Sequence, residues 1–347
     1  MAAPESLKSF SESAGDYGAD RNGMIWAYAF EPGQASRPVA ADALRESPGA
    51  AGGGAFLWLH FLTSASAERW LRANLDLPDP FFEGLHEEPG STRLEQQDMS
   101  LVAVMHDVLF GFAFDPADVS TVILCITPHL VVSARLKPLR SVDRLRAAVR
   151  AGHPFRSSTE LLSHLLRDQA GVLADIVRRS SVRVDAIEDQ LLEDRISTNR
   201  REMGSLRRML VRFQRLLAPE PAALFRLLNR PPDWIRGEDL QDLRQAAEEF
   251  SAAVSDSTAL AERVKLLQEE VAARIDEDTG RTLFLLTAAT VAALPINLLA
   301  GLFGMNVGGI PFSGSGHGFA VIVMGLCALT ATLALVFTRL SRTWRRR

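Results

Sequence analysis

Two long apolar segments follow one another near the C-terminal end of the chain. Leu283–Phe303 holds 21 residues and Phe319–Phe337 holds 19, and no Lys, Arg, Asp or Glu occurs from Thr282 to Thr338. As α-helices, segments of this length span about 30 Å, the thickness of the hydrocarbon core of a bilayer. The pattern predicts a membrane hairpin made of a first span, a loop and a second span: 282–303, 304–318 and 319–338.

The part of the chain before the hairpin has the pattern of a water-soluble α/β domain. Trp26, Tyr28 and Phe30 fall on one face of a strand that begins near Met24, and Ala55–Phe61 repeats this alternation. Further predicted strands are Leu101–Met105, Val108–Phe114, Val119–Thr127 and Leu130–Ala134. Predicted helices lie around Ser66–Leu75, from Asp79 onward and around Ser141–Val149.

After residue 150 the pattern becomes helical. Ser157-Ser-Thr-Glu160 is a capping box that predicts a helix start. The stretch Glu238–Phe303 predicts one helix of about 100 Å, at 1.5 Å per residue, and such a helix is easiest to explain as a stalk that enters the membrane. The predicted order is a disordered N-terminus, an α/β domain, a helical stalk region, the hairpin and a basic tail: 1–22, 23–150, 151–281, 282–338 and 339–347.

Charge then predicts how this α+β membrane protein is oriented. The five arginines that follow Thr338 carry +5, the hairpin carries none and the whole chain carries −4, so residues 1–281 carry −9. Lys and Arg favour the cytoplasmic side, which places the tail and the α/β domain in the cytoplasm. An acidic soluble part argues against nucleic acid as a partner.

The charged and the reactive residues each narrow the choice of function. Arg195–Arg236 is basic and Glu238–Asp278 is acidic. Two interpretations stay open: solvated faces that pack side by side with loosely complementary charges, or an acidic stalk that raises the local concentration of cations beside the membrane. Cys125 and Cys327 have neither disulfide nor zinc-ligand spacing. Neither a phosphate loop nor a catalytic triad is present, and His60 and the pair His164 and Asp168 fit structural roles, so the sequence does not predict an enzyme.

The first predicted span carries a stripe of polar and small residues at spacings of three and four. The stripe consists of Leu283, Thr287, Thr290, Leu294, Asn297 and Gly301. An unpaired carboxamide in hydrocarbon costs several kcal/mol, so Asn297 must face another helix or water. Two interpretations stay open at this point: a hydrogen bond between helices, or the lining of a pore.

A seven-residue repeat extends this stripe into the stalk. Its members are Glu262, Glu269, Asp276, Leu283, Thr290, Asn297 and Gly304. In supercoiled helices such a repeat stays on one face, whereas in a straight helix it drifts by about 20° per heptad. Since one hairpin cannot enclose a pore, a lumen along this line requires several copies of the chain around an axis.

The end of the first span resembles a known family. An apolar span that ends in Gly304-Met305-Asn306, followed by a loop, a second span and a short basic tail, resembles the CorA superfamily of divalent-cation transporters. Leu302-Phe-Gly-Met-Asn-Val-Gly-Gly-Ile-Pro311 is closest to its zinc-transporting ZntB branch, as are Arg93-Leu-Glu-Gln96, Arg215-Leu-Leu-Ala-Pro219 and Leu267-Gln-Glu-Glu270. The magnesium branch typically has an acidic residue after the Asn, and this loop has none.

The resemblance implies a homopentamer in the cytoplasmic membrane, with no tightly bound cofactor. Asn306 would ring the outer mouth and meet a hydrated ion, with further pore rings at Gly304, Met305, Gly301, Asn297, Leu294, Thr290 and Leu283. Glu262, Glu269 and Asp276 would line a cytoplasmic funnel. The transported ion would be Zn²⁺, with Mg²⁺, Co²⁺, Ni²⁺ and Cd²⁺ as further candidates, and uptake would be coupled to protons.

Two alternatives to a zinc transporter remain open on the sequence. The first is a magnesium or cobalt channel of the same superfamily. The second belongs to another class, a membrane-anchored sensor or scaffold that does not conduct ions. A monomer or a dimer in mild detergent would favour this second alternative, because Asn297 would then have no lumen to face.

Overall fold

A mixed sheet organises the N-terminal half of the protein. In the computed structural model, which describes residues 18–39, 54–86, 92–192, 200–305, 311 and 316–344, the sheet has the order β2-β1-β3-β7-β6-β5-β4. Its strands are β1 Met24–Phe30, β2 Arg37–Pro38, β3 Phe56–Leu62, β4 Arg93–Gln97, β5 Ser100–Val108, β6 Val119–Ile126 and β7 Leu130–Arg135. The neighbours β3 and β7 run parallel, and the other neighbours run antiparallel.

Helices account for most of the remaining described residues. They are α1 Ala65–Asn74, α2 Asp79–His86, α3 Arg140–Arg150, α4 Ser158–Leu192, α5 Arg200–Leu217, α6 Pro219–Asn229, α7 Gly237–Phe303 and α8 Gly318–Trp344. The chain divides into two compact units, residues 1–268 and 269–347, and the boundary falls within α7. The α/β fold, the long helix and the C-terminal helix agree with the fold class that the sequence predicted.

One face of the sheet is closed by α1 and α2. Leu71 of α1 and Phe81 of α2 are fully buried with Phe61 and Val132 of the sheet. A Cβ at Gly84 would lie 3.1 Å from Cγ2 of Val104, so glycine lets α2 approach the sheet closely. Burying such large apolar side chains stabilises the fold by roughly 1.5–3 kcal/mol each.

The opposite face carries polar groups that are nevertheless buried. Trp58 donates its indole N–H to Oγ of Ser133 over 2.8 Å, and Nδ1 of His60 lies 2.7 Å from the same oxygen. His60 also stacks on Trp26, with ring centroids 4.1 Å apart. Burial, with Arg135 nearby, lowers the pKa of His60, so its ring stays neutral. The interpretation of His60 as a core histidine is confirmed.

Most elements that the hydrophobic pattern predicts are present, but one strand is not. The sequence predicted strands at Leu101–Met105 and Val108–Phe114, whereas the structure has a single strand that ends at Val108. Beyond it the carboxylate of Asp118 accepts the backbone N–H of Ala113 at 2.7 Å, and Phe114 has φ 63°. This local turn competes with strand pairing, and alternation of apolar residues does not reveal it.

The capping box at the start of α4 forms only in part. Oγ of Ser157 accepts the N–H of Glu160 at 3.0 Å, as the motif requires. The Glu160 carboxylate, however, accepts the backbone N–H of Arg156 at 2.6 Å. The pair of His164 and Asp168 is present on one face of α4, with 3.2 Å between Nδ1 and Oδ2.

A buried polar hub joins the sheet to the helices, and sequence reasoning did not predict it. His106 of β5 donates its backbone N–H to Glu220 of α6 over 2.6 Å, and its carbonyl accepts the side chain of Gln169 of α4 at 3.0 Å. Next to it, Asp107 accepts hydrogen bonds from the backbone N–H and the hydroxyl of Ser141 at 2.9 and 2.7 Å. Burial raises the pKa of Glu220 and raises that of Asp107 to about 7.

These two carboxyls make the stability of the protein depend on pH. A group whose pKa is raised on folding contributes most below its unfolded pKa and loses that contribution as pH rises through its folded pKa. The free energy of unfolding should therefore fall as pH rises from 3.8, the ordinary pKa of an Asp side chain, toward about 7. Glu220→Gln keeps an oxygen for the N–H of His106 but removes one ionisable group, so thermal unfolding at several pH values should show a smaller fall. Glu202→Gln, at an exposed position, is the control. If the free energy of unfolding of Glu220→Gln falls as steeply with pH as that of the unaltered protein, Glu220 is not a source of the pH dependence.

Candidate ion pathway in the C-terminal unit

The end of α7 is apolar and is not buried by the residues that the structure describes. Leu283 is 59% exposed and Leu294 is 65% exposed, and the most apolar 18-residue window of α7 has none of its residues buried. Of the described residues, α7 alone forms a helix long and apolar enough to cross a membrane. The apolar stretch described in α8 is shorter, Gly318–Leu333. Surfaces of this kind need lipid or other copies of the chain to cover them.

The threonines of the predicted stripe satisfy their own hydroxyl groups. Thr287 donates to the carbonyl of Leu283 at 2.8 Å, and Thr290 donates to the carbonyl of Leu286 at 2.9 Å. Thr332 of α8 does the same to Ala328 at 2.8 Å. A hydroxyl paired in this way tolerates an apolar environment. These threonines therefore say little about whether the stripe faces lipid, protein or water.

Asn297 differs from these threonines, because its polar group is not paired within the helix. Its side chain is exposed and forms no hydrogen bond with any residue that the structure describes. A carboxamide has two N–H donors and an oxygen acceptor, and it cannot satisfy all of them within its own helical turn. The described residues do not supply these partners, which leaves them to water, to other copies of the chain or to residues outside the described part.

Two glycines in this helix end have different roles. A Cβ at Gly301 would meet nothing within 4 Å, so packing within the chain does not require glycine there. At Gly304, just after the helix ends, a Cβ would lie 3.1 Å from the carbonyl oxygen of Ala300, which makes glycine the best fit. Met305 is 52% exposed, and Asn306 lies outside the described residues, as do most of the loop and the end of the tail.

Pro295 is a feature of the first span that sequence analysis did not weigh. It lies inside α7, which continues as a helix past it. Proline has no N–H to donate to the carbonyl of Val291, so that oxygen lacks its usual helical partner. The proline could have been found by its position two residues before Asn297.

The predicted funnel acids lie on exposed positions of α7. Glu262 pairs with Lys265, with 3.3 Å between the side-chain nitrogen and oxygen. Glu269 and Asp276 are exposed. Among the residues that the structure describes, no group of three or more His, Cys, Asp and Glu side chains could hold a metal ion.

Comparison with known proteins identifies the family. The family model described as "CorA-like Mg2+ transporter protein" matches residues 53–340, most of the chain. The chain belongs to this CorA-like family. Members of the CorA-like family are ion transporters rather than enzymes, so the resemblance stated from the sequence is confirmed, and the chain is a divalent-cation transporter by family.

Individual relatives agree with this assignment. The chain is 28% identical to the divalent cation transporter CmaX of Pseudomonas aeruginosa over 290 residues, which cover 82% of this chain and 86% of that protein. It is 24% identical over 278 residues to the zinc transport protein ZntB of Yersinia enterocolitica, covering 80% and 85%. A solved structure of full-length CmaX matches with a TM-score of 0.77 and 26% identity, covering 93% of this chain and 99% of that one.

Proposed function

We propose that this CorA-like protein forms a homopentameric pore in the cytoplasmic membrane and takes up Zn²⁺, with inward proton movement as the driving force. The spans 282–303 and 319–338 would form the hairpin, and residues 304–318 would form the external loop. Residues 23–281 would lie in the cytoplasm with the tail 339–347. The ZntB relatives and the loop sequence, which has no acidic residue, favour zinc.

The observation that carries this proposal is the exposed carboxamide of Asn297. In a ring of hairpins, copies of Asn297 would face one another across a lumen and would find partners in water or in the ion's hydration shell. A monomer in lipid would leave the same group unpaired, at a cost of several kcal/mol by order of magnitude. A wet lumen that several copies share therefore explains the residue best.

The type of ligand favours an ion that keeps its water. Asn297 and Asn306 would supply rings of amide oxygens, which suit a hydrated cation. Tight zinc coordination instead uses Cys and His. The pathway would therefore pass zinc with part of its hydration shell, and it would not hold zinc at a high-affinity site.

Two further parts of the chain fit this pathway. Thr290 and Leu294 would form rings between Leu283 and Asn297. Gly301 would form a ring between Asn297 and Asn306, where the lack of a side chain would keep the lumen wide. Glu262, Glu269 and Asp276 would raise the local concentration of cations at the cytoplasmic end.

The test is transport by the purified full-length protein in liposomes that contain a zinc-sensitive dye. Zinc entry that increases with an inward proton gradient supports the whole proposal. Zinc entry without dependence on the gradient removes the proton coupling alone. Magnesium that passes far better than zinc, in a competition measurement, would replace the zinc assignment with that of a magnesium or cobalt channel.

A further inference from the structure

Helices α5 and α6, with the residue that follows α6, carry a group of exposed or partly exposed arginines that have no counter-charge among the described residues. None of them forms an ion pair with a carboxylate of the described residues. They are Arg201, Arg208, Arg212, Arg215, Arg226 and Arg230. Arginines elsewhere in the same unit do pair: Arg72 lies 3.0 Å from Glu68, and Arg263 lies 2.7 Å from Asp185. Among the described residues, these arginines therefore do not form ion pairs with the acidic stretch 238–278, and the predicted loose complementarity of the two faces remains a prediction.

Three of these arginines define one face of α5. Arg201, Arg208 and Arg215 are exposed and lie seven residues apart. They form a row of about 21 Å along the helix, at 1.5 Å per residue. We call these three residues the arginine face. The neighbouring Arg207 points elsewhere and donates to the side chain of Gln268 of α7 over 2.8 Å.

Helix α7 carries unmatched charge of the opposite sign. Glu248, Glu249 and Asp256 are exposed, and none of them forms an ion pair with a described Lys or Arg. We call these three residues the acidic strip. Between them lie the exposed small residues Ala252 and Ser255, which allow another helix to come close.

The two surfaces cannot neutralise each other within one chain. Successive residues of a helix are rotated by about 100°, so the three acidic residues lie roughly 100–160° around α7 from Gln268, which marks the side that contacts α5. The acidic strip therefore points away from α5 of its own chain. A second copy of the chain can present carboxylates to the arginine face and arginines to the acidic strip.

We propose that the arginine face of one copy docks on the acidic strip of the next copy in the ring, a proposal that rests on the oligomer inferred above. A two-fold symmetric pair also matches the two surfaces, because residue i of one copy then meets residue j of the other and j meets i. In the ring proposed above, each copy instead gives its arginine face to one neighbour and its acidic strip to the other, a head-to-tail contact that closes where the rotation between copies permits. The charges would then set the orientation of neighbouring copies as well as their attraction.

The experiment measures the mass of the full-length protein in mild detergent at moderate salt. Arg201→Glu/Arg208→Glu/Arg215→Glu should lose the oligomer, and so should Glu248→Arg/Glu249→Arg/Asp256→Arg. Combining the two sets should restore the oligomer, because attraction returns with its sign reversed. That restoration also shows that neither triple variant fails merely because it cannot fold. Arg21→Glu/Arg69→Glu/Arg150→Glu makes the same change in net charge at exposed positions elsewhere and should leave the oligomer intact.

Three outcomes would overturn this inference. In the first, the arginine variant keeps the mass of the unaltered protein. In the second, the combined variant stays dissociated. In the third, the arginine variant keeps its oligomer but no longer binds vesicles of anionic phosphatidylglycerol, which makes the arginine face a lipid contact. If the unaltered protein is itself a monomer, the proposed pore fails as well, whereas an intact and conducting oligomer of the arginine variant removes only this contact.

Discussion

Replacing Asn297 or Asn306 with alanine should reduce zinc flux into liposomes by roughly 10- to 100-fold without dissociating the oligomer. Each substitution removes a ring of amide oxygens from the proposed lumen. A hydrogen bond to a charged group contributes about 1.5–3 kcal/mol, and losing such contacts raises the barrier that the hydrated ion crosses by a similar amount. Flux is measured with the dye assay, and the mass in detergent is measured in parallel.

Thr332→Val in α8, outside the proposed lumen, is the matched control for these two variants. Its hydroxyl already bonds to the carbonyl of Ala328 at 2.8 Å, so the near-isosteric valine removes little that an ion could use. Its flux should stay within about threefold of the unaltered protein, a difference under 1 kcal/mol. Unaltered flux in both asparagine variants would count against a stripe that faces the lumen.

Replacing Trp58 with alanine should destabilise the N-terminal unit by about 3–5 kcal/mol. The side chain is 1% exposed and packs edge-on against Trp26, with ring centroids 5.4 Å apart. Its loss leaves a cavity in the sheet face and removes the donor to Ser133. Because a domain is stable by only about 5–15 kcal/mol, this change should lower the unfolding temperature strongly.

The comparison for Trp58 is a large apolar residue at the surface. Met99 is 58% exposed, so Met99→Ala should change the free energy of unfolding by less than about 0.5 kcal/mol. Both variants can be followed by thermal unfolding of the full-length protein. Equal unfolding temperatures for the two variants would mean that the packing around Trp58 has been assigned wrongly.

The sequence predicts the elements of this fold well because periodicity reports which face of an element is buried. The alternation in Met24–Phe30 and the apolar run that ends at Phe303 both match observed elements. The failure at Val108–Phe114 has a local cause, since the turn held by Asp118 depends on side-chain hydrogen bonds. The boundaries of the predicted domains remain predictions.

The periodicity of hydrophobic and polar residues does not predict long-range contacts or contacts between chains. His106 and Glu220 are 114 residues apart, and no local signal marks them as partners. In the proposed pore the environment of Asn297 depends on other copies of the chain, so the sequence of one chain leaves its two interpretations open. The role of Asn306 remains a prediction, because that residue lies outside the described part of the chain.

The central claim is that several copies of this hairpin surround one lumen, and the number of copies tests it most directly. Native mass spectrometry of the full-length protein in mild detergent counts them without assuming any activity. The proposed pore predicts a single species of five chains. A monomer or a dimer would contradict it, since Asn297 would then have no lumen to face and a sensor or scaffold would become the better interpretation.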